Sequence, residues 1–223
     1  MTIPLGVGIQ GSGIWQQVLD FEALIGRKVD STRHYRHANE ALIYGDITTS
    51  IAAGKTPLIS REMEATGGGA LGNGTFLQWA DFSSGAHDAL LAQDASALAA
   101  LGSAPVFLIF AHEPENDPSG TAAQYVAAFK YYHDYMRNHG VGANVKIGPC
   151  YMQNTFSGGH GGIDIWQPTS LDSYCDFIAS DQYTRAANSG QNWKTFRQLY
   201  TPQHDWIANR GKPWIVEETG CAE

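Results

Sequence analysis

The chain has no long apolar run, no basic cluster and no closely spaced cysteines. No window approaches the roughly 18 uninterrupted apolar residues of a membrane-spanning helix, so no span is expected. The first residues, Met1-Thr-Ile-Pro-Leu-Gly, have neither the charged start nor the apolar middle of a signal peptide. With 14 Lys and Arg against 22 Asp and Glu, the net charge is -8. That balance excludes the phosphate-neutralising surface a nucleic-acid binder needs, and an uncharged or basic ligand fits better. Three cysteines, Cys150, Cys175 and Cys221, form no CxxC pair, so neither a zinc ribbon nor a thioredoxin-like motif is present; they read as small buried hydrophobes, with a disulfide between two of them as the alternative. The segments 62–74 and 156–169 carry glycine runs that match neither GxxxxGK[ST] nor a helix-opening GxGxxG. They read as flexible loops on the active face.

What is present suits a single globular domain over residues 1–223: 43% hydrophobic residues, 16% charged, and six Trp. Short β-rich runs alternate with stretches of helical period, the arrangement of parallel strands joined by crossover helices. Strands are expected at 5–10, 28–34, 56–61, 105–112, 144–150, 175–182 and 212–217. Helical faces are marked by Trp15, Leu19 and Ala23, by Leu91, Ala95 and Leu98, and by Tyr125, Phe129, Tyr132 and Met136, with Gly140 as the cap after the last. The fold class is α/β, a (β/α)8 TIM-type barrel. Such barrels typically need about 250 residues, and only six residues follow Glu217, so the eighth β/α unit is expected to be absent or truncated. An open doubly wound sheet is the alternative.

Chemistry concentrates where two apolar strands stop. Pro105-Val-Phe-Leu-Ile-Phe-Ala ends in His112 and Glu113, and Lys212-Pro-Trp-Ile-Val ends in Glu217 and Glu218. Barrel active sites gather at the C-terminal ends of strands. Two carboxyl groups on that face meet the requirement of glycoside cleavage, one protonating the leaving oxygen and the other attacking the anomeric carbon or activating water. Strand alternation predicts that only one of Glu217 and Glu218 points inward.

These residues resemble glycoside hydrolase family 26, a group of clan A barrels that includes β-mannanases. The resemblance is carried by Gly85-Ala-His-Asp88, by Pro105-Val-Phe-Leu with His112-Glu113, by Asp176-Phe-Ile-Ala-Ser-Asp-Gln-Tyr183, and by Lys212-Pro-Trp-Ile-Val-Glu-Glu-Thr-Gly220. It implies a retaining, endo-acting hydrolase of a polysaccharide or oligosaccharide, with Glu113 as acid/base and Glu218 as nucleophile. It also implies that His112 lies near the reacting sugar and that Tyr183 steadies the nucleophile; Asp181 and Asn116, in the same motifs, are expected at the substrate. Ile109-Phe110 replaces the family's Arg-Pro, and Pro114-Glu-Asn-Asp-Pro118 replaces its Met-Asn-Gly, so the glycan is left open between mannan and another cell-wall polymer such as arabinan or galactan. A barrel that binds carbohydrate without cleaving it is the reading from a different class.

Other residues complete the expected substrate site. Arg33, ending the second strand, would hold the nucleophile ionised through a charge-assisted hydrogen bond. Glu62 would bind a sugar hydroxyl, while its neighbour Arg61 reads as either site or ion pair. Trp79 and Trp193, in polar loop-like contexts, are expected to stack on sugars, and Trp214 belongs to the core. No cofactor is expected. No metal is expected either, because HExxH and a carboxylate facial triad are both missing. The chain is expected to act as a monomer, outside the cell or on a virion.

Overall fold

A computed structural model describes residues 5–8, 14–65, 75–117, 119–185 and 194–222. Its elements run β1 (Gly6–Gly8), α1 (Ile14–Ile25), β2 (Ser31–Arg36), α2 (Gly45–Ala52), β3 (Thr56–Arg61), β4 (Glu64–Ala65), β5 (Thr75–Phe76), α3 (Trp79–Ser83), α4 (Asp88–Ala99), β6 (Val106–His112), α5 (Ala122–Asn138), β7 (Val145–Met152), α6 (Gln153–Phe156), α7 (Ile163–Trp166), β8 (Ile178–Arg185), α8 (Phe196–Asn209) and β9 (Trp214–Ala222). Seven of these strands form one sheet in the order β1-β2-β3-β6-β7-β8-β9, and every neighbouring pair is parallel. The small β4–β5 pair is antiparallel.

The sheet curls on itself. Side chains from β2 and β3 reach those of β9, at the far end of the strand order: Arg33 pairs with Glu217, and Ser60 donates to Glu217 across 2.9 Å. An open doubly wound sheet keeps its edge strands apart, so that alternative is excluded. The fold is a nearly closed barrel of seven parallel strands with helices between them, and no pairing of β9 with β1 exists among the described residues.

Strand alternation sorts the apolar residues into two clusters. The outer one lies between the barrel and its helices, where Phe110 meets Tyr132 at 4.4 Å and Phe82 at 5.3 Å between ring centroids. The inner one holds Leu58, Ile109, Cys150, Phe177 and Ala179, with Phe107 and Ile215 packed against it, and fills the barrel axis. Gly148 lets this interior close, because a Cβ there would stand 2.5 Å from the Phe177 carbonyl oxygen.

The helices follow their sequence signals unevenly. α5 opens on a capping box in which Thr121 and Gln124 satisfy each other's backbone N–H, buries the expected Tyr125, Phe129, Tyr132 and Met136, and is followed by Gly140 at φ 86°. α1 departs from its expected face. Val18 and Glu22 are buried and Ala23 is exposed, because the Glu22 carboxylate turns inward to accept from the Val29 amide at 2.9 Å and to pair with Lys55 and Lys28. The glycine-rich segment after α6 is not a plain loop: it forms a 3-10 turn at Gly159–Gly161 and the short helix α7. Residues 66–74 lie outside the described residues.

Arg61 is structural. It forms a two-pronged pair with Asp94 of α4, at 3.0 and 2.8 Å, and donates to the carbonyls of His37 and Glu40. Removing one partner of such a buried pair strands a charge. Arg61→Ala is therefore expected to lower unfolding free energy by about 3–5 kcal/mol in urea denaturation; a loss under about 1 kcal/mol would show that the pair behaves as a surface bridge.

Candidate active site

The polar residues at the C-terminal ends of the strands form a layer directly above the inner apolar cluster. Arg33 of β2, Ser60 of β3, His112 of β6, Asp181 of β8 and Glu217 of β9 meet there, and Glu218 and Tyr183 sit at its rim. Each is where alternation sends it, with two exceptions produced by bulges.

The first bulge lies in β6. Ile109 pairs with Gly148 and His112 with Cys150, so two residues, Phe110 and Ala111, oppose one. Both belong to the outer cluster, and Ala111 takes a left-handed φ of 57°. The extra residue shifts the parity of the strand so that His112 faces inward. Glu113 follows at φ 49°, its amide donating to the Cys150 carbonyl at 3.2 Å. Left-handed backbone at non-glycine residues costs energy and collects at functional sites.

The second bulge lies in β9. Val216 pairs with Ser180 and Glu218 with Asp181, which leaves Glu217 as the extra residue. The expectation that only one of the two glutamates faces the interior is corrected here: both do, because the bulge interrupts alternation. The Glu217 side chain is completely buried, pairs with Arg33, accepts from Ser60, and lies 3.5 Å from His112 Nδ1. The Glu218 side chain is 19% exposed and Arg33 Nη2 stands 3.5 Å from its Oε1. Tyr183 donates its hydroxyl to Glu218 Oε2. Asp181 Oδ1 accepts from the Glu218 amide at 2.9 Å, which fixes the backbone at that carboxylate.

The charges are unequal in their settings. Burial alone would raise Glu217, but Arg33 and His112 hold it down to about 2. Burial alone would lower His112, yet Glu217 and Asp181 outweigh it and raise the imidazole to about 9. Burial and then Glu217 push Asp181 up to about 8, against His112 and Arg33. Glu218 is raised by burial, with Arg33 opposing. Around them, burial raises Glu62, with His112 and Arg33 opposing. Burial followed by Glu62 raises Asp117 to about 7.

The expected site residues divide accordingly. Arg33, His112, Asp181, Tyr183 and Glu218 come together in one network, and Glu62 is close enough to feel His112 and Arg33. Glu113 is half-buried at the end of β6. Asn116 is exposed, its amide donating to the Glu113 carbonyl at 2.9 Å. Trp79 does not join them: it has no exposed surface and packs on Phe82, Phe110 and Tyr125 in the outer core, because its polar neighbours belong to a short helix laid over that core. Trp193 lies outside the described residues. Trp214 is in the core as expected, half-buried, and donates to Ser180. Ile109 and Phe110, where the sequence departs from the family pattern, are both fully buried packing residues.

Several residues of the network were not expected. Tyr35 lies under the Arg33 guanidinium, 4.0 Å from ring centroid to Cζ, and meets His112 edge-on. Its spacing two residues after Arg33 is the signal that finds it; Ser60, between Leu58 and Glu62, has the same signature. His112, Cys150, Asp181 and Glu217 hold donor atoms within 4.8 Å of one another, a spacing a metal ion would accept. The chemistry of this donor set fits a metal poorly. The Arg33 guanidinium already supplies the cation against Glu217, and burial drives the Cys150 thiol well above its ordinary range, so it stays protonated. Cys175 is likewise free and buried; the Cys221 side chain lies outside the described residues.

These shifts set the sign of the pH dependence of stability. Carboxyls raised on folding hold protons that the unfolded chain has released, so their contribution is lost as pH rises. Asp94, Glu115, Asp117 and Asp181, raised to about 6, 7, 7 and 8 chiefly by burial, all act this way. His112 acts in the same direction, its contribution intact below 6.5 and lost as pH rises through about 9. Glu217 opposes them only in acid, where its contribution is lost as pH falls from 4.5 through about 2. Thermal melts are expected to show a higher Tm near pH 5 than near pH 8, and an equal or higher Tm at the alkaline end would contradict the assignment.

Sequence comparison finds no protein-family model that matches the chain and no curated protein similar to it. Comparison of structures does find relatives. A ruminal endo-β-1,4-mannanase of glycoside hydrolase family 26 superimposes with a TM-score of 0.67 at 17% identity, covering 97% of this chain and 54% of that one. The catalytic domain of the family 26 endo-β-1,4-mannanase from Bacillus sp. JAMB-750 gives 0.65 at 19% identity, covering 99% and 69%. An endo-laminarinase from Formosa Hel1_33_131 gives 0.56 at 11% identity, covering 97% and 66%. The chain thus spans about half the length of the ruminal enzyme. At these identities the likeness speaks for the fold, and the fold is that of the family 26 glycoside hydrolase barrels, with seven parallel strands among the described residues.

Proposed function

We propose that this chain is the catalytic barrel of a retaining glycoside hydrolase that cleaves a polysaccharide internally by double displacement. One observation carries the reading: the Glu218 carboxylate stands partly exposed at the barrel mouth, oriented by the Tyr183 hydroxyl and the Arg33 guanidinium, with Glu113 at the same end of the barrel, directly after β6. In the first step Glu113 protonates the glycosidic oxygen as Glu218 attacks the anomeric carbon, which forms a glycosyl ester and releases the leaving sugar. In the second, Glu113 takes a proton from water, and the water oxygen attacks the anomeric carbon and frees Glu218.

The supporting residues have separate tasks in this reading. Arg33 and Tyr183 keep Glu218 ionised and aimed. His112, Glu62 and Asn116 present polar groups to the sugar, and Asp181, buried beneath them, fixes the backbone at Glu218. The acidic surroundings favour an uncharged or basic glycan, either a β-mannan or another cell-wall polymer. Polymers of that kind lie outside cells, so we place the protein there or on a virion, acting as a monomer.

Product release from mannan, β-1,3- and β-1,4-xylan, mixed-linkage glucan, arabinan and arabinogalactan tests the reading and names the glycan. Wild type is expected to release oligosaccharides from one of them, Glu218→Gln none, and Glu113→Ala roughly 10²–10⁴-fold less. Binding without release by wild type would instead favour a carbohydrate-binding barrel. Tyr183→Phe removes a hydrogen bond to a charged group, worth about 1.5–3 kcal/mol, so kcat/KM on that glycan should fall about 10- to 100-fold; an unchanged value would remove Tyr183 from the site.

A further inference from the structure

The residue that the chemistry above leaves unused is Glu217, which lies at the centre of the polar layer. Five other strands of the barrel bring a side chain to it. Arg33 comes from β2, Ser60 from β3, His112 from β6, Cys150 from β7 and Asp181 from β8. Its side chain is completely buried, so its carboxylate does not touch substrate. It is also the extra residue of the bulge that turns Glu218 to the mouth, so its side chain and its backbone both bear on the neighbouring carboxylate.

We propose that Glu217 is a positioning residue, which anchors Arg33 and His112 in the polar layer so that Arg33 reaches Glu218 without closing onto it. The proposal rests on the hydrolase reading above. Arg33 makes its close contact with Glu217 and holds Glu218 at 3.5 Å. One guanidinium is divided between two carboxylates, and the buried one has the larger share. Without the charge on Glu217, Arg33 is free to close on Glu218. A nucleophile in a tight ion pair must break that pair to attack, so the expected cost falls on the chemical step rather than on sugar binding.

The same carboxylate holds the charge on His112. Facing the imidazole are Arg33 and Tyr35 from β2, Glu62 after β3, Asp117 beyond β6, Cys150 from β7, Asp181 from β8, and Glu217 and Glu218 from β9. Asp181 and Glu217 are its nearest carboxyl groups, at 3.1 and 3.5 Å, and Asp181 is itself raised by burial and then by Glu217. Among these carboxyl groups Glu217 is the one held ionised far into acid.

Glu217→Gln keeps the shape and the acceptor oxygen while removing the charge. In the full chain, the NMR titration of His112, assigned by comparison with His112→Asn, is expected to move down by about one unit or more. On the cleaved glycan, kcat should fall about 10- to 100-fold with KM little changed, and the acidic limb of kcat/KM should move to lower pH. Glu217→Asp, which retains the charge, should restore the His112 titration in large part; it carries the same comparison with wild type if the Gln variant does not fold. A folded Gln variant with wild-type His112 titration overturns the proposal, whether kcat falls or not, and so does a shifted titration with wild-type kcat. If wild type cleaves no glycan, the hydrolase reading fails and takes the catalytic half of the proposal with it, while the titration still reports whether Glu217 holds His112.

Discussion

A guanidinium buried at the top of the barrel core is the constraint from which the polar layer follows. Arg33 is 5% exposed, and a charge so placed is costly unless it is paired and its donors are used. Nη1 serves Ser60 and Glu217, Nη2 faces His112 Nδ1 at 3.2 Å and Glu218 at 3.5 Å, and the flat face rests on Tyr35. Lysine would reach one carboxylate as a point charge; the planar fork of arginine serves two and stacks as well. The carboxylates need Arg33 as much as it needs them, because the Glu217 side chain has no solvent contact.

Two bulges make the arrangement geometrically available. A regular strand sends alternate residues to opposite faces, so neither His112-Glu113 nor Glu217-Glu218 would deliver both members to one mouth. In β6 the extra residue is spent in the outer core at Ala111, which turns His112 inward and leaves Glu113 to begin the following loop. In β9 the extra residue is Glu217 itself, which fills the interior while Glu218 takes the rim. The strained backbone at Ala111 and Glu113 is held by the aromatic cluster around Phe110 and by the Cys150 carbonyl. Packing on the outside of the barrel thus positions polar groups on the inside.

Much of this was legible from residue order alone. The apolar runs at 56–61 and 105–112 coincide with strands to within a residue, and the α5 face matches its sequence pattern because its period and terminal glycine agree. Strand ends were read less well. β8 and β9 run to Arg185 and Ala222, beyond the polar residues at which an apolar pattern stops, since the last residues of barrel strands keep pairing after their side chains turn polar. The bulges leave no such signal, which is why Glu217 was passed over in favour of its neighbour. Trp79 and the buried face of α1, expected through Ala23, differ from their sequence patterns in opposite senses. A tryptophan among polar residues proved to be core because its helix lies flat on the barrel, and a glutamate on a helix proved buried because two lysines and an amide await it.

Which glutamate at the end of β9 reacts decides the chemistry of the barrel mouth. Incubation of the active protein with a 2-deoxy-2-fluoro analogue of its glycan, followed by peptide mass spectrometry, should find a glycosyl ester on Glu218 and an unmodified Glu217. An ester on Glu217, or turnover of the parent glycan with no adduct on either residue, would contradict Glu218 as nucleophile.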